Sequence, residues 1–270
     1  MRRALDGLFL LAAAAWSLGP FIWQWLTSVK SPGRVTGIPP LLPDAVHWDH
    51  YLAVLSQESF LRVILNTFTV SLGAVTLSLA VGVPGAFGVS RLLGRSRNGV
   101  LLALLVVFMI PQIAVVTPFY KMLTALHLKD SLVGLIVTYS VFTVPLVVWI
   151  TCHAFEEIPD SLFRAAQVDG CGLWRIFWKV YVPLGRPGWI SAGLLTLIYC
   201  WNEFMFALTF TTTYEARTIP VGIALFAGQY SFPWGEISAA SSLVTLPLLA
   251  AVMVAQKSLV RGLTAGGQKG

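Results

Sequence analysis

Six runs of about twenty or more mostly apolar residues dominate this chain, at approximately 5–28, 63–90, 99–120, 131–154, 187–211 and 238–260. A helix rises ~1.5 Å per residue, so ~20 apolar residues cross the ~30 Å hydrocarbon core of a bilayer. The second run is long enough to tilt or to extend past that core. Only 11% of the 270 residues are charged, against about 25% in soluble domains. No polar stretch is long enough for a second, soluble domain. The expectation is therefore one all-α transmembrane domain, 1–270, embedded in lipid. Pro84, Pro111, Pro118, Pro145 and Pro247 fall inside the runs. Membrane helices tolerate such breaks where neighbouring protein satisfies the freed carbonyls. These kinks fit a bundle around a pathway, and equally an irregular bundle. The first run continues through Leu18, Phe21, Ile22, Trp23, Trp25 and Leu26. That exceeds the ~7–15-residue core of a signal peptide, so it reads as a retained helix.

The net charge of +6 reflects topology rather than nucleic-acid binding. No dense basic run interleaved with aromatics occurs. With the amino terminus in the cytoplasm, twelve of the 18 Lys and Arg residues fall inside and six outside. This bias predicts that both termini are cytoplasmic. It also places the 155–186 loop and the 261–270 tail in the cytoplasm. Cys152, Cys171 and Cys200 have no CxxC spacing, so neither a disulfide framework nor a metal site is expected. Two outside loops, 29–60 and 212–237, carry aromatics that suit either an interfacial belt or an external partner.

The cytoplasmic loop reads as two short helices. Pro159 suits a helix start, Asp160 complements the positive end of the dipole, and Gly170 suits a left-handed terminus. A second helix is expected from about Leu173 to Val182, ended by Pro183. Leu162, Ala165, Ala166 and Asp169 share one side of the first helix. The two alanines are small enough for another protein to approach the backbone closely. Leu173, Ile176, Phe177 and Val180 form an apolar stripe on the second helix, enlarged by Trp174 and Trp178. So apolar a hairpin must bury itself against its own bundle or against a partner.

This loop resembles the signature of permease subunits of bacterial ATP-binding-cassette (ABC) importers. That signature is Glu-Ala-Ala, three residues, Gly, nine residues, Ile, one residue, Leu-Pro. Here it stands as Ala165-Ala166, Gly170 and Val180-Tyr181-Val182-Pro183. Trp201-Asn202-Glu203-Phe204 and the carboxy-terminal Gly262 to Gly270 resemble the maltose-type sugar permeases, over essentially the whole chain. The resemblance implies the type I ABC importer permease fold with six transmembrane helices. It implies that the loop between the fourth and fifth spans is a coupling helix docking on a separate ATPase. Arg164, Ala165, Ala166, Asp169, Gly170 and Pro183 would form that surface. Thr264, Gly266, Gly267 and Lys269 of the tail would reach the ATPase as well. Arg164 departs from the pattern, standing where the family carries Glu.

Glu203 is the acidic residue placed within a span, and an ionised carboxylate there must face protein or water. With Asn202 it offers hydrogen bonds to sugar hydroxyls or to a neighbouring helix. Gln112, Thr117 and Tyr120 are weaker candidates. No Gly-x-x-x-x-Gly-Lys-Ser/Thr motif occurs, so the chain is not expected to be an enzyme or to hold a cofactor. ATP and Mg would belong to two partner ATPase subunits. A second permease, giving a heterodimer, and an extracytoplasmic solute-binding protein complete the implied set in a bacterial inner membrane. The implied cargo is a sugar, oligosaccharide, glycoside or polyol, with glycerol phosphates as the alternative. An ion-coupled secondary transporter would carry more intramembrane charge. An intramembrane enzyme would show a His-Glu-x-x-His or Gly-x-Ser-x-Gly motif, and neither occurs.

Overall fold

A computed structural model describes residues 2–31, 41–225 and 233–264, with side chains for 6–31, 41–225 and 233–256. Among these residues the ordered structure is helical throughout. Gly266, Gly267 and Lys269 lie outside the described residues, as do Pro32 to Pro40 and Tyr230 to Phe232; Thr264 ends the last helix.

Two compact units make up the chain. The first comprises Met1–Ile64 and Ile219–Pro247. It holds α1 (Arg2–Ser28), α2 (Asp49–Leu55), the start of α3 (Glu58–Arg91), α12 (Ile219–Ala224) and the first part of α13 (Trp234–Thr264). The large apolar side chains of α1 from Leu8 to Trp25 are exposed, and the helix is fixed at its carboxy-terminal end. There Ser28 and Tyr51 share a hydroxyl–hydroxyl bond of 2.8 Å, and Lys30 Nζ lies 4.2 Å from the centre of the Trp23 ring. That cation–π contact gives a buried ammonium an electrostatic partner.

The second unit comprises Leu65–Thr218 and Leu248–Gly270. It contains the rest of α3, then α4 (Arg97–Phe108), α5 (Gln112–Ala125) and α6 (Leu132–Glu156). Next come α7 (Asp160–Val168), α8 (Leu173–Ile176), α9 (Val182–Leu184), α10 (Arg186–Asn202), α11 (Met205–Phe210) and the end of α13. In this unit α6 is the central helix. Its mean composition is apolar, yet Ser140 and Thr143 bond Ala74 O at 3.4 Å and Ser78 Oγ at 2.7 Å on α3. Small residues bring the helices close: Gly82 of α3 against Val147, and Gly188 of α10 against the Ala154 methyl. Close backbone approach and interhelical hydroxyl bonds are how helices associate when lipid offers no hydrophobic contrast.

Four described helices are long and apolar enough to cross a membrane: Asp6–Ser28 within α1, then α3, α6, and Trp234–Gln256 within α13. The expected third span, 99–120, is not one straight helix. It breaks between α4 and α5, which meet at 85°. Pro111 has no N–H to continue the ladder, and its extended backbone (ψ 126°) turns the chain. The expected fifth span, 187–211, is likewise divided. Its α10 ends at Asn202, Glu203 is extended with ψ 126°, and α11 restarts at Met205.

At the end of α6 opposite the 155–186 loop, Asp130 clamps the end of α11. It sits in the left-handed region (φ 54°), which Asp tolerates better than most residues. Its Oδ1 accepts from the N–H of Thr212 (2.7 Å) and Thr213 (3.1 Å), and Oδ2 accepts from the Thr212 hydroxyl at 2.9 Å. Partial burial pushes the Asp130 carboxyl up, but these donors outweigh it and hold it below its ordinary value. A depressed folded value gives stability that is present above the unfolded value of ~3.9 and lost as pH falls through the folded one. Thermal unfolding in detergent is therefore expected to worsen below about pH 4. Asp130→Asn, which keeps the left-handed backbone, is expected to flatten that acid limb.

Candidate functional site

The 155–186 loop is built on a rigid aromatic layer. Phe155 lies in the last turn of α6 and Ile158 just beyond it; both are buried, with Ile176, Phe177 and Tyr181 from the second half of the loop. Phe87 of α3 completes the layer, with ring centroids 4.9 Å from Tyr181 and 5.4 Å from Phe177. Phe155 meets Tyr181 edge-on at 5.4 Å. Offset and edge-to-face aromatic pairs add to what their buried area contributes.

Pro159 takes the cap position of α7, so its missing N–H leaves no helical bond unmade, and Asp160 begins the helix. The other end is a Schellman motif. Cys171 N–H donates to Ala166 O at 2.9 Å and Gly170 N–H to Gln167 O at 3.0 Å, with Gly170 at φ +74°. A Cβ at Gly170 would meet nothing within 4 Å, so glycine serves backbone conformation there, not space.

The faces of α7 differ in one place from the sequence pattern. Phe163 and Ala166 pack against the aromatic layer. Leu162, Arg164, Ala165, Val168 and Asp169 are exposed. Ala166 thus shares its burial with the scaffold, and the outward surface is centred on Ala165. Val168 is 87% exposed at the edge of the Gly170 turn. Neither Arg164 nor Asp169 has a side-chain partner among the described residues.

Beyond the turn, the expected helix from Leu173 to Val182 does not end at Pro183. After α8, residues Phe177–Tyr181 form a π-helical turn, and α9 carries Pro183 on toward α10. Proline at 183 cannot bond back and its ring crowds the carbonyl four residues earlier. Widening the preceding turn relieves that conflict. Gly185 then lets the chain pass against the Phe155 ring, and Gly185 N–H donates to Tyr181 O at 2.8 Å. Of the expected stripe, Ile176 and Phe177 turn inward, while Leu173, Trp174 and Trp178 remain exposed, the tryptophans at 68% and 61%.

Arg91, the last residue of α3, ties the layer to the loop, which sequence reasoning missed beyond counting its charge. One guanidinium nitrogen is ion-paired with Asp160. The other donates to Phe155 O at 2.6 Å and Ile158 O at 2.7 Å. The group lies 5.1 Å from the centre of the Tyr181 ring. Burial pushes the Tyr181 phenol up against the opposing pull of Arg91, so the ring stays neutral beneath the cation.

The polar pair in the membrane region separates. Glu203 is 5% exposed, and its two carboxyl oxygens accept from Phe206 N–H (2.8 Å) and Ala207 N–H (3.1 Å). Both are orphan donors at the start of α11. Asn202 is exposed, and among the described residues its amide donates only to Ile198 O at 2.8 Å. One turn back, Tyr199 receives a hydrogen bond from Gln112, the first residue of α5. The breaks in the third and fifth spans are joined at this point.

A family model described as the binding-protein-dependent transport system inner membrane component matches residues 61–265. The chain is 34% identical over 255 residues to a sulfoquinovosyl glycerol transport system permease protein of Agrobacterium fabrum, covering 94% of this chain and 89% of the relative. It is also 34% identical over 257 residues to a trehalose transport system permease protein of Mycobacterium tuberculosis, covering 94% and 93%. Its fold is similar to that of a chain from a bacterial ABC transporter involved in the import of alginate. The TM-score is 0.79 at 24% identity, covering 94% of this chain and 95% of that one.

Proposed function

The chain belongs to the family of binding-protein-dependent transport system inner membrane components, and on that premise we propose that it forms half the pathway of an ATP-driven importer for a sugar, oligosaccharide, glycoside or polyol. The cargo class rests on relatives named for trehalose and sulfoquinovosyl glycerol. The partners are a second permease, two ATPase subunits that hold ATP and Mg, and an extracytoplasmic binding protein. Both termini face the cytoplasm, consistent with the positive charge there.

The ATPase docks on α7. The observation that carries this reading is an exposed, small-residue shoulder at Ala165, set beside the Gly170 turn and held by a buried aromatic layer. Ala166 and Pro183 support it from behind, and Asp169 and Arg164 supply its charges. The tail residues Thr264, Gly266, Gly267 and Lys269 reach the same partner. In the membrane, Asn202 has an exposed amide with which to meet sugar hydroxyls, and Glu203 shapes the break beside it.

The test is ATP hydrolysis by the reconstituted complex across a panel of sugars, glycosides, polyols and glycerol phosphates with the cognate binding protein. Stimulation by a sugar or glycoside is expected; stimulation only by a glycerol phosphate would replace the cargo class. Arg164 has a narrower consequence. With a cation where the family carries an acid, either the ATPase surface offers it an acid or the contact is lost, and the first is the reading proposed. Arg164→Glu is then expected to lower stimulated hydrolysis about threefold to tenfold, the cost of setting like charges at a contact. Unchanged stimulation would remove Arg164 from the interface.

A further inference from the structure

We infer that Arg91 is the positioning residue through which movement of the docking loop reaches α3, an inference that rests on the loop being where the ATPase docks. The loop is covalently continuous with α6 on one side and α10 on the other, so these helices follow it through the backbone. No such connection exists for α3. Among the described residues its hydrogen bonds to the loop join residues 64, 67 and 69 positions apart, all through one guanidinium.

The geometry at Arg91 suits transmission better than simple adhesion. Phe87, one turn earlier on the same face of α3, packs on Phe163, Phe177 and Tyr181. Ring contacts hold the surfaces together, but they make no hydrogen bond to the loop backbone. The guanidinium does what the rings cannot. It holds the Phe155 carbonyl near the end of α6, the Ile158 carbonyl just past it and the Asp160 carboxylate that begins α7, which ties α3 to both helices. The Arg91 side chain is only 10% exposed, whereas Asp160 is 67% exposed. The carbonyl bonds therefore dominate, since exposed ion pairs contribute little and buried charge-assisted bonds contribute more.

This ranks three variants in the complete transporter, assayed with the binding protein and ATPase in proteoliposomes. The readouts are ATPase co-purification and substrate imported per ATP hydrolysed. Arg91→Lys keeps the charge and most of the stem but loses the planar fork. It is expected to co-purify with the ATPase normally and to lower imported substrate per ATP about threefold or more. Arg91→Ala is expected to lower it about tenfold. Asp160→Asn is expected to lower it by less than about twofold. A purely structural role would reduce the amount of complex and leave the ratio unchanged. A wild-type ratio in Arg91→Lys with ATPase bound overturns the inference and leaves the docking reading intact. An equal loss from Asp160→Asn and Arg91→Ala overturns the assignment to the carbonyl bonds. Failure of Arg91→Ala to assemble leaves Arg91→Lys to decide. Failure of the docking reading has its own signature: ATPase that co-purifies undiminished when α7 is replaced by a Gly-Ser linker.

Discussion

Ala165→Arg is expected to leave the permease folded and inserted while reducing ATP-driven uptake by about tenfold to a hundredfold. The side chain at 165 is exposed and lies on no part of the aromatic layer. An added guanidinium therefore disturbs nothing within the chain, and the helix loses almost nothing because Arg is a good helix former. At a docked interface the same group has no room. Overpacking a close-fitting surface costs typically ~1–3 kcal/mol, and each ~1.4 kcal/mol is a factor of ten in affinity. Thermal unfolding of the purified permease should match wild type, while the ATPase dissociates at lower concentrations of competing detergent. Ala166→Arg should behave differently. Ala166 packs against the buried layer, so its replacement should lower stability as well as uptake. Equal behaviour of the two variants would mean that α7 does not present the face described here.

Glu203→Ala is expected to destabilise the chain by about 2–6 kcal/mol, from two buried N–H groups left without acceptors at ~1–3 kcal/mol each. Glu203→Gln retains one acceptor oxygen and should lose about half as much. The measurement is unfolding of the detergent-solubilised permease by heat or denaturant. Asn202→Ala makes the contrast. Its amide is exposed and, among the described residues, bonds only within its own helix, so stability should hold while the concentration dependence of uptake changes. Should Glu203→Ala retain full stability and lose uptake, Glu203 would instead act directly on the cargo.

The sequence made the loop legible because its signals are local. Pro159, Asp160 and Gly170 act within one turn of themselves, and the structure puts each at a helix start or in the left-handed turn. Its errors came where a local signal has two solutions. Proline can stop a helix, as at Pro111, or be carried within one, as at Pro20, Pro84, Pro118, Pro145 and Pro247. At Pro183 a π turn provides a third solution. Periodicity grouped Ala165 with Ala166 because neighbouring positions on a helix differ by only ~100°. Only the position of Phe87 and Tyr181 decides which of them faces in.

Two features of the site were hidden for a different reason. Arg91 could be counted as a cytoplasmic charge, but its three acceptors lie more than sixty residues away. Glu203 could be recognised as costly in a membrane, yet its role depends on the break at 203–204 that exposes the N–H groups it satisfies. That break is itself stabilised by the capping it receives. Sequence separation conceals the first, and circular dependence on tertiary structure conceals the second.

The central claim is that α7 seats on the ATPase through the Ala165 face. A photoreactive amino acid placed singly at 165, 169 or 166 in the assembled transporter tests it directly. Strong cross-links to the ATPase from 165 and 169, weaker from the inward-facing 166, are expected. Cross-links from 165 and 169 to lipid or to the second permease alone, with none to the ATPase, would contradict the account.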